Sequence, residues 1–415
     1  MKFSSLCLYI CTTTKNTTPE IENNMQLSEM TGELQTAISG KARRNRDFSE
    51  QINFQFYRRR ENEMRRIIKK IFKVTGIVIV SFIVIILVAH LIGRMINNKT
   101  PDGGINESIY VDINGTQQWI NIYGQNKDNP VLLYLHGGPG SATSQIDYAF
   151  TRKWSDVYTV VTWDQRNCGK SYDTSKTDTI TADILMQDGK EMTEFLLDYL
   201  DKEKLILLGH SWGSLYGANL VLEYPEYYEA FIGTGQFIDL MENEQRLYEA
   251  AKEWSEGDEE GKEILSEWSP DNECSIEALQ ARNATLERYG YGMMKDGTDY
   301  NVLFTVLFNP NYTIKDYIGY LTHGGKEFEP YLAFWSNGEI SKMSLLGKYD
   351  YKVPYYNING DMDYQTNYQL ACEYFDNVNA PEKEMFVLEN ATHGLLESRS
   401  EEFSKIIHAI AKKTE

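Results

Sequence analysis

The chain has 415 residues, 13% of them aromatic, and a formal net charge of −19 at pH 7, so it is longer than one average domain. Residues 1–99 hold 16 Lys and Arg against 8 Asp and Glu, a charge of +8, and the remaining 25 basic and 52 acidic residues give residues 100–415 a charge of −27. So acidic a segment is unsuited to binding nucleic acid, which requires a basic surface.

A long apolar run dominates the N-terminal quarter. Residues 74–93 form 20 positions without Asp, Glu, Lys or Arg, the length that a helix needs to cross a bilayer. A cleaved signal peptide would have a shorter apolar core closer to the N-terminus and a small-residue cleavage site. We therefore expect an uncleaved transmembrane signal anchor. Arg and Lys are concentrated upstream of the run, which predicts a single-pass protein of the cell membrane with its N-terminus in the cytoplasm and residues 108–415 outside.

The segments on either side of the anchor show little hydrophobic periodicity. Residues 1–57 are polar, and we expect them to be disordered or to be mispredicted coding sequence, in which case translation starts at Met64. Residues 1–73 as a whole form a basic cytoplasmic segment in this interpretation. Residues 94–107 are predicted to be a linker.

Strand-length apolar runs then recur at the spacing of an α/β domain. The predicted strands are 108–112, 117–123, 131–135, 157–163, 205–208, 230–233, 353–358 and 385–388. The predicted helices between and after them are 182–200, 215–223, 368–375 and 401–412. Two early strands followed by alternating strands and helices predict a mostly parallel sheet with an antiparallel start, in a core of residues 108–236 and 346–415. Residues 237–345 are too many for a structureless loop and are predicted to be an inserted helical cap.

The most informative motif follows the fifth predicted strand. The apolar run 205–208 ends at Gly209, Ser211 stands in a Gly-x-Ser-x-Gly pattern, and a helix-like segment begins at residue 215. This is the context of a nucleophile elbow, a sharp turn that holds a serine hydroxyl clear of the sheet. An ordinary glycine-rich turn with a solvent-facing serine is the alternative. The strand before the motif and the helix after it favour the nucleophile.

A serine nucleophile needs a base, and the chain has only six histidines. Five of them lie in the apolar run, a Gly-Pro loop, the position before the nucleophile, the predicted cap and the last predicted helix: His90, His136, His210, His323 and His408. By elbow geometry, the side chain of His210 is expected to point elsewhere. The sixth, His393, follows the last predicted strand, where bases of open α/β sheets lie, and it is the predicted base.

The base needs a carboxylate, which should lie between serine and histidine in chain order and after another strand. Asp361 and Asp363 both meet this condition after the strand 353–358. We choose Asp363, because the chain must turn before a side chain reaches His393, and we expect Asp361 to cap the turn.

An oxyanion hole needs two backbone N–H groups. The first is expected from Trp212, the residue after the nucleophile. The second is expected from Gly138, because strand 131–135 leads into the loop HGGPG at 136–140, whose glycines let the backbone approach a substrate closely.

These motifs together carry a family resemblance. With HGGPG at 136–140, WDQRNCGKS at 163–171, GHSWGS at 209–214, GDMD at 360–363 and the late His393, the chain resembles the α/β-hydrolase superfamily over residues 109–413. Within it, the chain looks most like the proline iminopeptidase group of serine aminopeptidases. The resemblance implies the α/β-hydrolase fold, the triad Ser211, Asp363 and His393, an oxyanion hole of Gly138 and Trp212, and no metal or organic cofactor.

The chain also departs from that group. The iminopeptidases usually carry glycine where this chain has Asn167 and His210. Their preference for a free N-terminal proline relies on cap glutamates that bind the amine, and Glu244 is the best match here, after a one-residue shift. A glutamate on an exposed cap helix is the alternative for Glu244. The membrane anchor is a further departure, which bears on the substrate more than on the chemistry.

We therefore expect a membrane-anchored serine hydrolase that removes N-terminal residues, proline among them, from short peptides. A carboxylesterase or lipase-like hydrolase with the same triad is the alternative, acting on a small ester or amide. A catalytically silent surface-binding module is a third hypothesis. Epoxide hydrolysis and dehalogenation are disfavoured, because those relatives need an aspartate where this chain has Ser211. Nucleic acid is not an expected partner, and the sequence leaves the oligomeric state open.

Overall fold

The structure, a computed structural model, describes residues 28–173, 179–270, 275–323 and 326–414. The chain divides into two compact units, Met1–Ile83 and Val84–Glu415. Helix α1, Ser28–Asn97, begins in the first unit and ends in the second. Its stretch Asp47–Asn97 contains an 18-residue window with a mean hydropathy of 2.9 and is long and apolar enough to cross a membrane.

The N-terminal segment differs from the expectation over residues 28–57, which are helical, while residues 1–27 lie outside the described residues. Helix-favouring Glu, Gln, Arg and Ala are frequent there, and ion pairs one helical turn apart, such as Arg65–Glu61 at 2.7 Å, add support further along the helix. The predicted linker is also shorter than 94–107, because α1 ends at Asn97 and the first strand begins at Ile105.

One eight-stranded sheet forms the centre of the second unit. Its strands, in chain order, are β1 Ile105–Ile113, β2 Thr116–Gly124, β3 Val131–Leu135, β4 Thr159–Asp164, β5 Leu205–His210, β6 Tyr228–Thr234, β7 Tyr355–Gly360 and β8 Lys383–Leu388. Their spatial order is β1-β2-β4-β3-β5-β6-β7-β8. The pairs β1/β2 and β2/β4 are antiparallel and the others are parallel. This is the α/β-hydrolase architecture predicted from the sequence.

Helices cover both faces of the sheet. They are α2 Tyr148–Thr151, α3 Ala182–Tyr199, α4 Trp212–Glu223, α11 Tyr368–Asn377, α12 Leu395–Ser398 and α13 Ser400–Ala411, with 3₁₀ turns at Arg152–Trp154, Gly169–Ser171 and Pro225–Tyr227. Along β3, Leu133 belongs to the core cluster that includes residues of α3 and α4, whereas Leu132 belongs to the cluster that includes residues of α13. A central strand that is buried on both faces has a continuous apolar sequence and not an alternation of apolar and polar residues. The central strands could therefore be recognised in the sequence as short apolar runs.

The chain between Thr234 and Tyr355 forms the cap. Its helices are α5 Leu240–Trp254, α6 Glu259–Leu265, α7 Ile276–Arg288, α8 Val302–Leu307, α9 Ile314–His323 and α10 Glu329–Ser336, with 3₁₀ turns at Lys326–Phe328 and Ile340–Met343. Its first three helices share a small apolar core of their own that includes Leu247, Leu265 and Leu286. These three helices thus have a core separate from the two clusters that flank the sheet, whereas Tyr331 and Phe334 of α10 belong to the cluster that includes residues of α3 and α4.

Candidate active site

Ser211 occupies the turn between β5 and α4 in a backbone conformation rare for a non-glycine residue, with φ +56° and ψ −122°. Such conformations cost of the order of 1–3 kcal/mol and are concentrated at functional sites. Both flanking glycines are required by close packing. A Cβ at Gly209 would lie 2.1 Å from the carbonyl oxygen of Gly213, and a Cβ at Gly213 would lie 2.2 Å from that of Leu135. The turn therefore has the geometry of a nucleophile elbow.

The structure brings Asp363, and not Asp361, against His393. His393 Nδ1 and Asp363 Oδ2 are 2.7 Å apart, and both side chains are only 1% exposed, whereas Asp361 is exposed. Thr366 donates its backbone N–H and its hydroxyl to the two carboxylate oxygens of Asp363, each at 3.0 Å. The carboxylate therefore accepts a hydrogen bond from His393 Nδ1–H, a tautomer that we assign from this contact, and Nε2 carries the lone pair.

The second ring nitrogen of His393 is unpaired among the residues that the structure describes, and the residue shares a pocket with Ser211. Within the described part of the chain, Nε2 is buried and has no hydrogen-bond partner. Ser211 and His393 line the same pocket, which has a volume of about 720 Å³. An unpaired basic nitrogen, oriented through the other ring nitrogen by a carboxylate, is the arrangement that a serine hydroxyl needs for activation.

Of the two predicted oxyanion donors, Gly138 lines this pocket, and Trp212 directly follows Ser211, which also lines it. Trp212 is the first residue of α4, so its N–H has no acceptor within the helix. Gly138 has a φ of +124°, and its neighbour Gly137 passes so near Ser211 that a Cβ there would lie 3.2 Å from Ser211 Cβ. Gln165 connects α4 with the loop 136–140. Its side chain accepts a hydrogen bond from Trp212 Nε1 at 3.0 Å and donates one to the carbonyl of His136 at 3.2 Å.

The ring of His210 lies beside that of His393, although it was expected to point away from the site. Its ring centroid lies 4.8 Å from that of His393, and it is fully buried. Strand alternation explains this position, since β5 extends to His210 and places it on the same face as Leu208, the face toward α13. Burial, and secondarily the nearby His393, lower the pKa of His210 far below its usual value, so it is neutral. Gly235 lies against both rings, with a Cβ position 2.9 Å from His393 Cε1 and 3.3 Å from His210 Cε1.

Glu244 lies on the cap side of the pocket, but its charge is already paired. Arg282 donates from Nε and Nη2 to the two oxygens of Glu244 at 2.7 and 2.9 Å. Arg282 also donates to the side chain and the backbone carbonyl of Gln365, at 2.8 and 3.0 Å. Arg282 and Gln365 could not be predicted from the sequence, because partners 38 and 83 residues apart leave no local pattern.

A second carboxylate lining the pocket was also missed. Glu397 lies four residues after His393 and is buried, and its Oε2 has no hydrogen-bond partner among the described residues. Burial raises the pKa of Glu397 above its usual value, and the nearby His393 opposes this. Among the described residues there is no group of three or more His, Cys, Asp or Glu side chains placed to hold a metal ion.

Residues 130–399 match the family model of the alpha/beta hydrolase fold. This match covers more than half of the chain, so the chain belongs to the α/β-hydrolase family. The fold and the family membership predicted from the motifs are thereby confirmed.

Individual relatives refine the comparison. The chain is 29% identical over 302 residues to the probable aminopeptidase YbaC of Bacillus subtilis, a match that covers 68% of this chain and 89% of the relative. It is 29% identical over 119 residues to a proline iminopeptidase of Lactobacillus helveticus, covering 28% of this chain and 40% of that enzyme. Among solved structures, a proline iminopeptidase-related protein of Thermus thermophilus superposes with a TM-score of 0.52 at 21% identity, covering 75% of this chain and 98% of that one, a likeness of fold.

Proposed function

We propose that the protein is a membrane-anchored serine hydrolase, and more narrowly an aminopeptidase of the proline iminopeptidase type that acts on short peptides. The observation that carries the proposal is the buried pair His393–Asp363 at 2.7 Å, because His393 keeps its Nε2 unpaired among the described residues and lines the same pocket as Ser211. Serine acyl transfer requires this set of groups.

The mechanism follows from these positions. His393 Nε2 takes the proton of the Ser211 hydroxyl as its oxygen attacks the scissile carbonyl. The N–H groups of Trp212 and Gly138 stabilise the oxyanion of the tetrahedral intermediate. The imidazolium then donates its proton to the leaving amine, which departs and leaves an acyl-enzyme on Ser211. Water, deprotonated by His393, hydrolyses the ester and regenerates the serine.

The strained elbow contributes to this chemistry. The positive φ of Ser211 forms a sharp turn between β5 and α4, and loop 136–140 passes beside it, since a Cβ at Gly137 would lie 3.2 Å from Ser211 Cβ. Asp363 and its two hydrogen bonds from Thr366 hold the imidazole so that little reorganisation is required during proton transfer.

Substrate size follows from the cap. A pocket of about 720 Å³, covered by cap side chains such as Trp268, Phe328 and Trp335, has room for a few residues of peptide and is in the range of small-molecule sites. The relatives named as an aminopeptidase and as proline iminopeptidases support a substrate with a free N-terminus.

Glu244 is the candidate acceptor for that N-terminal amine. It is on the pocket wall, and its negative charge suits an ammonium group. Arg282 competes for the same carboxylate, so an incoming amine would share Glu244 with the guanidinium.

This pairing favours the second candidate function, a carboxylesterase or lipase-like hydrolase. Its substrate carries no amine and needs no unpaired carboxylate. The aromatic and aliphatic lining of the pocket suits an apolar acyl chain equally well.

The anchor completes the proposal. Residues 74–93 lie within the stretch that is long and apolar enough to cross a membrane. The excess of Arg and Lys before them supports a cytoplasmic N-terminus and a catalytic domain outside the cell membrane.

Purified full-length protein tests the proposal with prolyl and alanyl arylamides beside short-chain para-nitrophenyl esters. Arylamide turnover that disappears in Ser211→Ala is expected. Ester turnover alone supports the esterase, and the absence of both activities and of fluorophosphonate labelling at Ser211 refutes the hydrolase.

Variants of the two pocket carboxylates then locate the amine site. Glu244→Gln is expected to reduce the ratio of kcat/KM for free-amine over N-acetylated arylamides at least 10-fold, and Glu397→Gln is the comparison. Because both substrates meet the same altered pocket, the ratio cancels general structural damage. An unchanged ratio in Glu244→Gln removes this residue from the amine site, and a fall only in Glu397→Gln reassigns it.

A further inference from the structure

Two short helices of the cap expose large apolar side chains. Leu303 on α8 and Leu321 on α9 are 72% and 77% exposed. Five more exposed apolar side chains lie on the same two helices, and we name the seven the cap apolar face: Val302, Leu303, Phe304, Ile314, Ile318, Tyr320 and Leu321. Soluble surfaces seldom concentrate apolar groups in this way unless they contact a protein or a membrane.

The pattern on α9 is that of an amphipathic helix. Ile314, Ile318 and Leu321 are spaced four and three residues apart, so they share one side of the helix. Asp316 points elsewhere, accepting from the backbone N–H of Thr313 at 2.7 Å, and Tyr317 donates its hydroxyl to the carbonyl of Val306. Ile318 and Leu321 are 57% and 77% exposed, so the described residues leave most of this side of α9 uncovered.

The same two helices hold the last turns of α1. His90 Nδ1 lies 2.8 Å from the carbonyl oxygen of Leu307, and Asn97 donates to the carbonyl of Phe308 at 2.9 Å. The ring of His90 also meets that of Tyr317 edge-on, at a centroid distance of 5.9 Å. His90 is only 2% exposed, although it belongs to the apolar run 74–93. Helices α8 and α9 therefore lie beside the end of the proposed membrane span.

The cap apolar face lies close to the contact between the end of α1 and helices α8 and α9. Leu303 and Phe304 precede Leu307 by about one helical turn, and Ile318 and Leu321 are within about one turn of Tyr317. One turn rises about 5.4 Å. A helix that leaves the hydrocarbon near residue 93 therefore brings these side chains to the boundary between acyl chains and headgroups, where amphipathic surface helices bind.

We infer that the cap apolar face is an interfacial membrane-binding element, seated in the outer leaflet of the bilayer that residues 74–93 cross. The inference rests on the proposed anchoring. The attraction is apolar and not electrostatic, because residues 100–415 carry a net charge of −27 and anionic headgroups would repel them. The chemical partner is consequently the acyl-chain region of a phospholipid leaflet, and zwitterionic phosphatidylcholine is sufficient.

The test uses the full chain in phosphatidylcholine nanodiscs that contain a lipid with a photoactivatable diazirine on its acyl chain. Irradiation followed by proteolysis and mass spectrometry is expected to find lipid adducts in residues 74–93 and in residues 302–321. Adducts in 74–93 alone overturn the inference and leave the anchoring intact. Adducts in neither segment overturn the anchoring itself, and the inference with it.

A charged double variant provides the second measurement. Leu303→Glu with Leu321→Glu is expected to reduce the adducts in residues 302–321 at least fivefold and to leave those in 74–93 unchanged. Leu346→Glu is the matched control, because Leu346 is also exposed, at 48%, and does not belong to the cap apolar face. Fluorophosphonate labelling of Ser211 verifies that each variant is folded. Wild-type adduct levels in a labelled double variant would refute the inference.

Discussion

Replacing Gly235 by alanine tests whether the position of His393 limits catalysis. Gly235 follows β6 in a left-handed conformation, φ +50°, and its N–H donates to the carbonyl of Ile358 at 3.1 Å. A methyl group there would lie 2.9 Å from His393 Cε1 and 3.0 Å from His393 Nδ1. Ordinary carbon contacts are about 3.5–4.0 Å, so the imidazole must shift by about half an ångström or more.

The expected cost follows from that displacement. Moving Nδ1 lengthens its 2.7 Å contact with Asp363 and tilts Nε2 away from Ser211. Misplacement by about 1 Å costs on the order of 10²-fold in rate, so Gly235→Ala is expected to lose about 10- to 100-fold in kcat, with KM nearly unchanged. The left-handed backbone adds a stability cost of about 1–2 kcal/mol for any residue with a Cβ.

Gly257→Ala distinguishes the stability cost of the left-handed backbone from the catalytic cost of displacing His393. Gly257 has a φ of +81°, and no atom lies within 4 Å of its Cβ position, so this variant has the backbone cost without the steric contact. The assay is the rate at which a fluorophosphonate labels Ser211, together with kcat and KM on the best arylamide or ester and the thermal midpoint. If both variants lose similar stability and label at rates within twofold of each other, the reasoning about His393 is wrong.

Three other changes probe the site, the core and the cap. Asp363→Asn is expected to lower kcat on the order of 10³–10⁴-fold by disturbing the tautomer of His393, and a loss below tenfold in a steady-state assay would contradict this. Burial raises the pKa of Asp147 to about 8, so between pH 4 and 8 the folded chain retains a proton that the unfolded chain has released. The free energy of unfolding therefore falls as pH rises, by up to about 1.4 kcal/mol per unit, and Asp147→Asn should flatten this slope in urea denaturation, whereas an equal slope would exclude Asp147 as its source. Leu247→Ala, in the buried core of the cap, should cost about 2–5 kcal/mol in the same measurement, and a cost under 1 kcal/mol would show that this core is loosely packed.

The sheet could be predicted because its central strands are apolar on both faces. The predicted strand 131–135 coincides with β3, and the others differ from the observed bounds by a few residues at either end. The glycines around Ser211 were equally informative, since only a close approach of backbone to backbone requires them at both positions.

Other features depend on tertiary packing. The Glu244–Arg282–Gln365 contacts join segments that are distant along the chain, and no periodicity reports them. The position of His210 was within reach, because two-residue alternation from Leu208 predicts the observed face of β5. The helix over residues 28–57 was not predicted, because a polar composition fits both a disordered segment and a long solvated helix.

The loop between Asp363 and Asn367 has a consequence for the order of events in catalysis. Cap residues hold this loop directly, since Arg282 donates to Gln365, and Asn243 both donates to the carbonyl of Gln365 at 3.1 Å and accepts from the N–H of Asn367 at 2.7 Å. The same loop carries Thr366, which holds Asp363. Lifting the cap would therefore loosen the support of Asp363, the carboxylate proposed to orient His393, so that entry of substrate and full alignment of His393 exclude one another. Such an interlock would keep the enzyme idle while its pocket is open to water.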